Sequence, residues 1–209
     1  MSWLVSVMQQ GMEYFFQLTG SYGIAIIILT VIIRVVLLPF TFSQVRAMKK
    51  MQELQPELKK LQDKYKNDPQ RLNKETMELW RKHGVNPFSG CLPLLLQIPF
   101  LWAFFRMLYS YEPLIGAPFL WLTDLSLPDP TYVLPVLAAV TTYWQSKIMS
   151  PAGADASQQT MLYFMPIFLG WSASKYAAGL SLYWVVSNLL GILQQYLMPV
   201  GSPAKGEST

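Results

Sequence analysis

Five stretches almost free of charge recur along the chain, at residues 22–42, 91–111, 132–149, 158–174 and 179–198. Each holds 17 to 21 residues, and about 20 helical residues cross a hydrocarbon core of roughly 30 Å at 1.5 Å per residue. They lack the charged outer face that a buried helix of a soluble bundle presents to water, so the pattern predicts five transmembrane helices. Between the first two runs the periodicity changes. Val45, Met48, Met51, Leu54, Leu58, Leu61 and Tyr65 repeat at three- and four-residue steps. Asn67-Asp68-Pro69 breaks that stripe, and a second follows with Leu72, Thr76, Leu79 and Trp80. Two amphipathic stretches joined by a breaker predict an antiparallel helical hairpin closed on its apolar seam. Near the start, Trp3 to Phe16 interleaves apolar residues with Ser6, Gln9, Gln10 and Glu13, the pattern of a short helix lying in a membrane interface.

The fold class expected is therefore an all-α membrane protein: five transmembrane helices, a cytoplasmic hairpin and an N-terminal interfacial helix. Composition agrees, with 52% hydrophobic and 13% charged residues, about half the charge share of a soluble domain. The charge that remains fixes an expected orientation. Eleven of the sixteen Lys and Arg fall between Ser43 and His83, which places that stretch in the cytoplasm by the excess of positive charge on inner loops. The chain then reads as an extracytoplasmic interfacial segment 1–21, first span 22–42, cytoplasmic hairpin and re-entry 43–90, and second span 91–111. An external loop 112–131 leads to the third span 132–149, a cytoplasmic loop 150–157 and the fourth span 158–174. An external turn 175–178, the fifth span 179–198 and a cytoplasmic tail 199–209 complete it. The external loop carries Glu112, Asp124 and Asp129 and no Lys or Arg, while Lys175 counts against the scheme. No basic residue precedes Arg34, so the start does not read as a secretory signal. The single cysteine, Cys91, has no partner for an internal disulfide.

Polar residues inside the apolar runs carry the functional signal. Arg34 lies eight residues from the end of its run, roughly 12 Å below the inner boundary. A charge at that depth is expensive, by roughly 2.5 to 3.5 kcal/mol on insertion scales, so it should face water or polar groups. Thr30 shares its helical face. Gln97 adds a polar group to the second run, Thr141 and Gln145 to the third, and Ser181, Trp184, Asn188, Gly191 and Gln195 follow three- and four-residue steps in the fifth. Taken singly these are ordinary interhelical hydrogen-bonding residues; together with Arg34 they predict a hydrophilic surface enclosed by the bundle. No Asp or Glu falls within the five runs, which disfavours proton- or cation-coupled transport. The one histidine, His83, lies in the hairpin, and neither HExxH nor GxSxG occurs, so no catalytic constellation is expected. On the hairpin, eleven bases against six acids make a basic rim that includes Lys49, Lys50, Lys59, Lys60 and Lys64. Two readings stay open: the rim contacts anionic headgroups or ribosomal RNA, or it is solvated and only sets topology.

The order of motifs resembles the YidC insertases, the bacterial branch of the Oxa superfamily. Arg34-Val-Val-Leu-Leu-Pro39 leads into Ser43-Gln44 and a Lys/Met-rich helix with Gln55-Pro56. Gly84-Val85-Asn86-Pro87, Gly90-Cys91-Leu92-Pro93 and Gln97-Ile98-Pro99 follow. Met165-Pro166, Ala178-Gly179-Leu180-Ser181-Leu182-Tyr183-Trp184, Ser187-Asn188 and Gln194-Gln195 close the series. Ala177, where many relatives have Pro, and Lys175 depart from the pattern. The resemblance implies a membrane protein insertase and chaperone, not an enzyme, with no nucleotide or metal cofactor. It implies a hydrated groove holding Arg34, with Thr30, Gln97, Gln145, Ser181, Trp184 and Asn188 contacting the substrate. Expected partners are nascent membrane proteins, the ribosome, the Sec translocon and membrane lipids, with no DNA, the chain acting as a monomer in the plasma membrane, N-terminus outside and C-terminus inside. The competing classes are a small-solute transporter or channel, and an assembly factor that inserts nothing.

Overall fold

The structure, a computed structural model, describes residues 2–84, 92–149 and 156–197. Nine α-helices occupy them: α1 Ser2–Thr19, α2 Tyr22–Val36, α3 Leu38–Glu53, α4 Gln55–Lys64, α5 Pro69–Lys82, α6 Leu92–Ser110, α7 Val133–Met149, α8 Ala156–Ala173 and α9 Ala178–Leu197. No strand forms among the described residues beyond one isolated bridge, Phe119 to Leu122. The chain is all-helical.

Helices α6 to α9 coincide with four of the uncharged runs to within two residues. The first run does not stay whole. It divides at Leu37 into α2 and the start of α3, because Pro39 has no N–H to donate and its ring crowds the carbonyl four residues earlier. Among the described residues no helix is long and apolar enough to cross a membrane. For α2 the shortfall is length, since its 15 residues rise only about 22 Å. In α9 the run is diluted by Ser181, Ser187, Asn188, Gln194 and Gln195.

Much of what these helices leave exposed is apolar: Val31, Ile32 and Val35 on α2, Val136 and Val140 on α7, Phe164, Ile167 and Trp171 on α8, Leu189 and Leu193 on α9; Arg106 on α6 and Lys147 on α7 are exposed as well. The core lies where α1, α2, α6 and α9 meet. Met12, Ile26 and Met107 are fully buried there, and Phe104 stacks on Tyr183 with ring centroids 4.2 Å apart. Helix α1 packs on α2 and α6. The Tyr111 hydroxyl donates to Glu13 Oε2 at 2.7 Å, and that bond holds the Glu13 carboxyl below its usual range. Helices α7 and α8 make the tightest pair and α9 lies against α7 and α2.

Helix α5 folds back on α4 across residues 65–68. Asp68 caps it by accepting from the Arg71 N–H at 3.0 Å. Leu54 and Leu58, at the α3 end of α4, are buried, and Lys64 and Arg71 both lie over the Tyr65 ring at 5.2 Å.

The connection between α6 and α7 is an ordered cap. Ala178 N–H donates to the Leu127 carbonyl and Gly179 N–H to that of Leu125, which ties the connection to the start of α9, and the Phe119 ring rests against Gly23 of α2. Buried Asp129 organises its last turn by accepting from Thr131 N, Thr131 Oγ1 and Leu134 N at 2.9, 2.6 and 2.8 Å. Burial alone pushes its carboxyl up, but the bonds from Thr131 and Leu134 outweigh that and bring it below the ordinary 3.8. A carboxylate with a depressed folded-state pKa stabilises the fold above its unfolded value and loses that contribution as pH falls through the folded one. Asp129→Ala should therefore destabilise by about 1–2 kcal/mol at neutral pH, the usual worth of a lost cap. Thermal midpoints in detergent should show the gap closing below about pH 4; a gap that persists at pH 2 would assign the effect to packing.

Candidate functional site

Arg34 stands near the C-terminal end of α2 and reaches across to α9. Its Nη2 donates to the Ser187 carbonyl at 2.6 Å and to Ser187 Oγ at 2.8 Å, while Nε donates to the same hydroxyl at 3.2 Å. Among the described residues no carboxylate pairs with it; Lys66 and Asp63 pair elsewhere, on the hairpin. Among the described residues this half-buried guanidinium is thus met by no counter-charge, and its hydrogen bonds go to one serine.

Helix α9 turns a second polar face to α7. Trp184 Nε1 donates to Thr142 Oγ1 at 3.0 Å. The Asn188 amide fits the orientation in which its oxygen accepts from Thr142 Oγ1 at 2.9 Å and its nitrogen donates to Gln145 Oε1 at 2.7 Å. The result is a directed chain from Trp184 through Thr142 and Asn188 to Gln145. Gly191 joins the two faces: a Cβ there would lie 2.5 Å from Gln145 Nε2 and 3.4 Å from Arg34 Nη2. Only a residue without a side chain lets both polar groups approach this point of α9. Gln194, one turn further along, has a buried Oε1 with no partner among the described residues.

The expected site residues separate into groups. Arg34, Gln145, Trp184 and Asn188 converge on one polar seam between α2, α7 and α9. Thr30 is buried one turn from Arg34, and its hydroxyl donates back to the Ile26 carbonyl at 2.7 Å. Ser181 donates to the Ala173 carbonyl at 3.2 Å. With Trp184, it lines an apolar cavity of about 410 Å³ bounded also by Trp102, Phe105 and Leu169. The side chains of Gln97 and Lys49 lie outside the described residues. Lys50, Lys59, Lys60 and Lys64 are exposed on α3 and α4, away from the helices that build the seam. Among the described residues no three His, Cys, Asp or Glu gather into a metal site.

Ser187 and Thr142 are residues that sequence reasoning left out of the site, and of the two Ser187 is the one that holds Arg34. It was visible beside Asn188, and its spacing of four from Gly191 puts those two on one face. Nothing in a serine alone separates a guanidinium ligand from ordinary helix packing.

An all-helical bundle that exposes many large apolar side chains and encloses a polar seam around Arg34 has the character of a helical membrane protein. The family profile described as "60Kd inner membrane protein" matches residues 14–203. The chain is 44% identical over 209 residues to the membrane protein insertase YidC of Caldanaerobacter subterraneus subsp. tengcongensis, covering 100% of both. It is 42% identical to the one of Fusobacterium nucleatum, over 95% of this chain and 98% of that protein. Against the YidC of Geobacter sulfurreducens it is 45% identical over 92% of its own length but spans 36% of the relative. A crystal structure of an active YidC insertase with its first transmembrane domain resolved superposes with a TM-score of 0.77 at 27% identity, over 94% of this chain and 46% of that one. The chain belongs to the YidC family of membrane protein insertases.

Proposed function

We propose that this chain inserts newly made membrane proteins into the bilayer through the seam that contains Arg34. The observation that carries the reading is the pairing of Arg34, held on Ser187 and without a counter-carboxylate among the described residues, with a bundle whose helices expose many large apolar side chains. In this reading α2 continued by the start of α3, then α6, α7, α8 and α9, are five spans, with the hairpin in the cytoplasm. Apolar side chains exposed along every one of them would face lipid. A passing hydrophilic segment exchanges water for the polar groups of the seam, which lowers its desolvation penalty. Arg34 attracts acidic residues of that segment by leaving Ser187 for a carboxylate, a stronger, charge-assisted partner. Burial of the client's apolar segment in lipid supplies the driving force. The clients are nascent membrane proteins. Contacts with the ribosome or Sec translocon would use the exposed basic residues of α3 and α4.

Reconstitution tests this. Vesicles containing the purified chain should integrate a short single-spanning substrate that empty vesicles leave protease-sensitive. In the same vesicles a cysteine near Lys60 and one near Asp124 should label from opposite sides of the membrane. Solute flux without substrate integration would instead make the chain a transporter, and neither activity would make it an assembly factor.

A further inference from the structure

The connection between α6 and α7 has two apolar sides. One is the cap already described, with Leu114, Leu122 and Leu125 buried against the bundle. The other faces outward: Leu120 is 75% exposed, Ile115 70% and Leu127 57%, with Trp121 and Tyr132 exposed beside them. Residues 112–132 contain no Lys or Arg. Asp124 accepts from Ser126 N and Oγ at 2.8 and 2.6 Å, Asp129 is buried and accepts from Thr131 and Leu134, and Glu112 at the α6 end is the one exposed acid. The rest of the exposed large side chains are aliphatic and aromatic.

The tip itself runs against the rules of an aqueous turn. Phe119 and Leu122 exchange both backbone hydrogen bonds at 2.9 Å, which closes a two-residue hairpin around Leu120-Trp121. Leu120 sits at φ 53, where two-residue hairpins in water place Gly, Asn or Asp. A leucine there adds backbone strain and also exposes one of the largest aliphatic surfaces of the molecule. The strain is a fixed cost of that backbone, but the exposure penalty vanishes only if the tip meets something apolar. The connection leads straight into α7, where Val133, Val136 and Val140 are exposed as well, the surface read above as lipid-facing.

We infer that the α6–α7 connection is a membrane anchor, with Leu120, Ile115 and Leu127 immersed among acyl chains and Trp121 and Tyr132 at the level of the lipid carbonyls. This rests on the reading of the bundle as membrane-spanning. Phospholipid, and not a protein partner, is the occupant, because the segment runs directly into α7, whose outer side is read as lipid-facing, and its one exposed ionic side chain, Glu112, stands at the α6 end of the connection, away in sequence from Leu120 and Leu127. Aromatic rings at the water–lipid boundary with aliphatic groups beneath are the arrangement that interfacial segments adopt.

The test uses the full chain with Cys91→Ser, Leu120→Cys, an environment-sensitive nitrobenzoxadiazole label on the new cysteine, and vesicles of phosphatidylcholine and phosphatidylglycerol. Emission should be blue-shifted, quenched by lipids carrying a nitroxide near the glycerol end, and several-fold less sensitive to iodide than a label at Lys60→Cys. Leu127→Cys, on the same face outside the strained turn, should behave alike. Iodide quenching equal to that at position 60 would overturn the anchor in favour of a solvated loop. A blue-shifted label quenched by neither agent would overturn it in favour of a protein-covered face. Substrate insertion is measured on the same vesicles, so a failure of the insertase reading shows there and leaves the quenching result to judge the anchor alone.

Discussion

Arg34→Ala should lower the inserted fraction of clients with acidic translocated segments by about tenfold, while clients without acids lose little. A unit charge about 6 Å from a carboxylate at an effective dielectric constant near 20 contributes roughly 2–3 kcal/mol. Part of that is offset because Arg34 must give up its Ser187 bonds, so a net of about 1.4 kcal/mol, or one factor of ten, is the expected scale. Arg34→Glu should invert the preference. Arg34→Lys separates charge from geometry: it keeps the attraction and cannot reproduce the three contacts that Nε and Nη2 make to Ser187. It should therefore retain most insertion and lose some stability. The measurement is insertion of a client series varying in acidic residues at matched protein levels. Equal insertion by wild type and Arg34→Ala across the series would remove the electrostatic role and leave hydration of the seam as the mechanism.

Gly170→Leu should be the most destabilising of the simple helix substitutions. Helices α7 and α8 approach so closely there that a Cβ would lie 2.9 Å from Ala139 Cβ and 3.1 Å from the Pro135 carbonyl oxygen. Backbone cannot swing aside as a long side chain can, so the helices must separate. Overpacking of this kind typically costs about 1–3 kcal/mol, and a leucine at a backbone contact belongs at the upper end. Gly191→Ala makes the informative contrast, because its near neighbour is the end of the Gln145 side chain. It should shift the thermal midpoint in detergent much less than Gly170→Leu does. Similar midpoints for Gly170→Leu and wild type would show that the α7–α8 pair is looser than its geometry.

Much of this was legible before any coordinates. Uncharged runs show where helices form because an unpaired backbone or charge in an apolar setting is too expensive to leave, and α6 to α9 follow their runs closely. Arg34 stood out for the same reason. Pro39 was equally visible, yet the run 22–42 read as one helix, since hydrophobicity carries through a proline that interrupts the hydrogen-bond ladder. The cap was opaque. That Asp129 is a buried turn organiser, or that Phe119 lies on Gly23, depends on contacts between segments far apart in sequence. Ser187 belongs with these: its role comes from the rotation of α9 relative to α2, which period alone does not determine.

The chain of bonds from Trp184 through Thr142 and Asn188 to Gln145 makes the α7–α9 contact non-additive. Thr142 accepts from one neighbour and donates to the next, so its removal weakens the bonding of both, the Asn188 oxygen keeping the longer approaches of Thr141 Oγ1 at 3.1 Å and Trp184 Nε1 at 3.3 Å. Once one link is lost, its former neighbours have less left to lose, and the double deletion Thr142→Val with Asn188→Leu should disturb the bundle less than the two single changes together. Each further substitution in this seam therefore costs less than it would in the intact chain of bonds, and the energy of the contact belongs to the set of residues and not to any one of them.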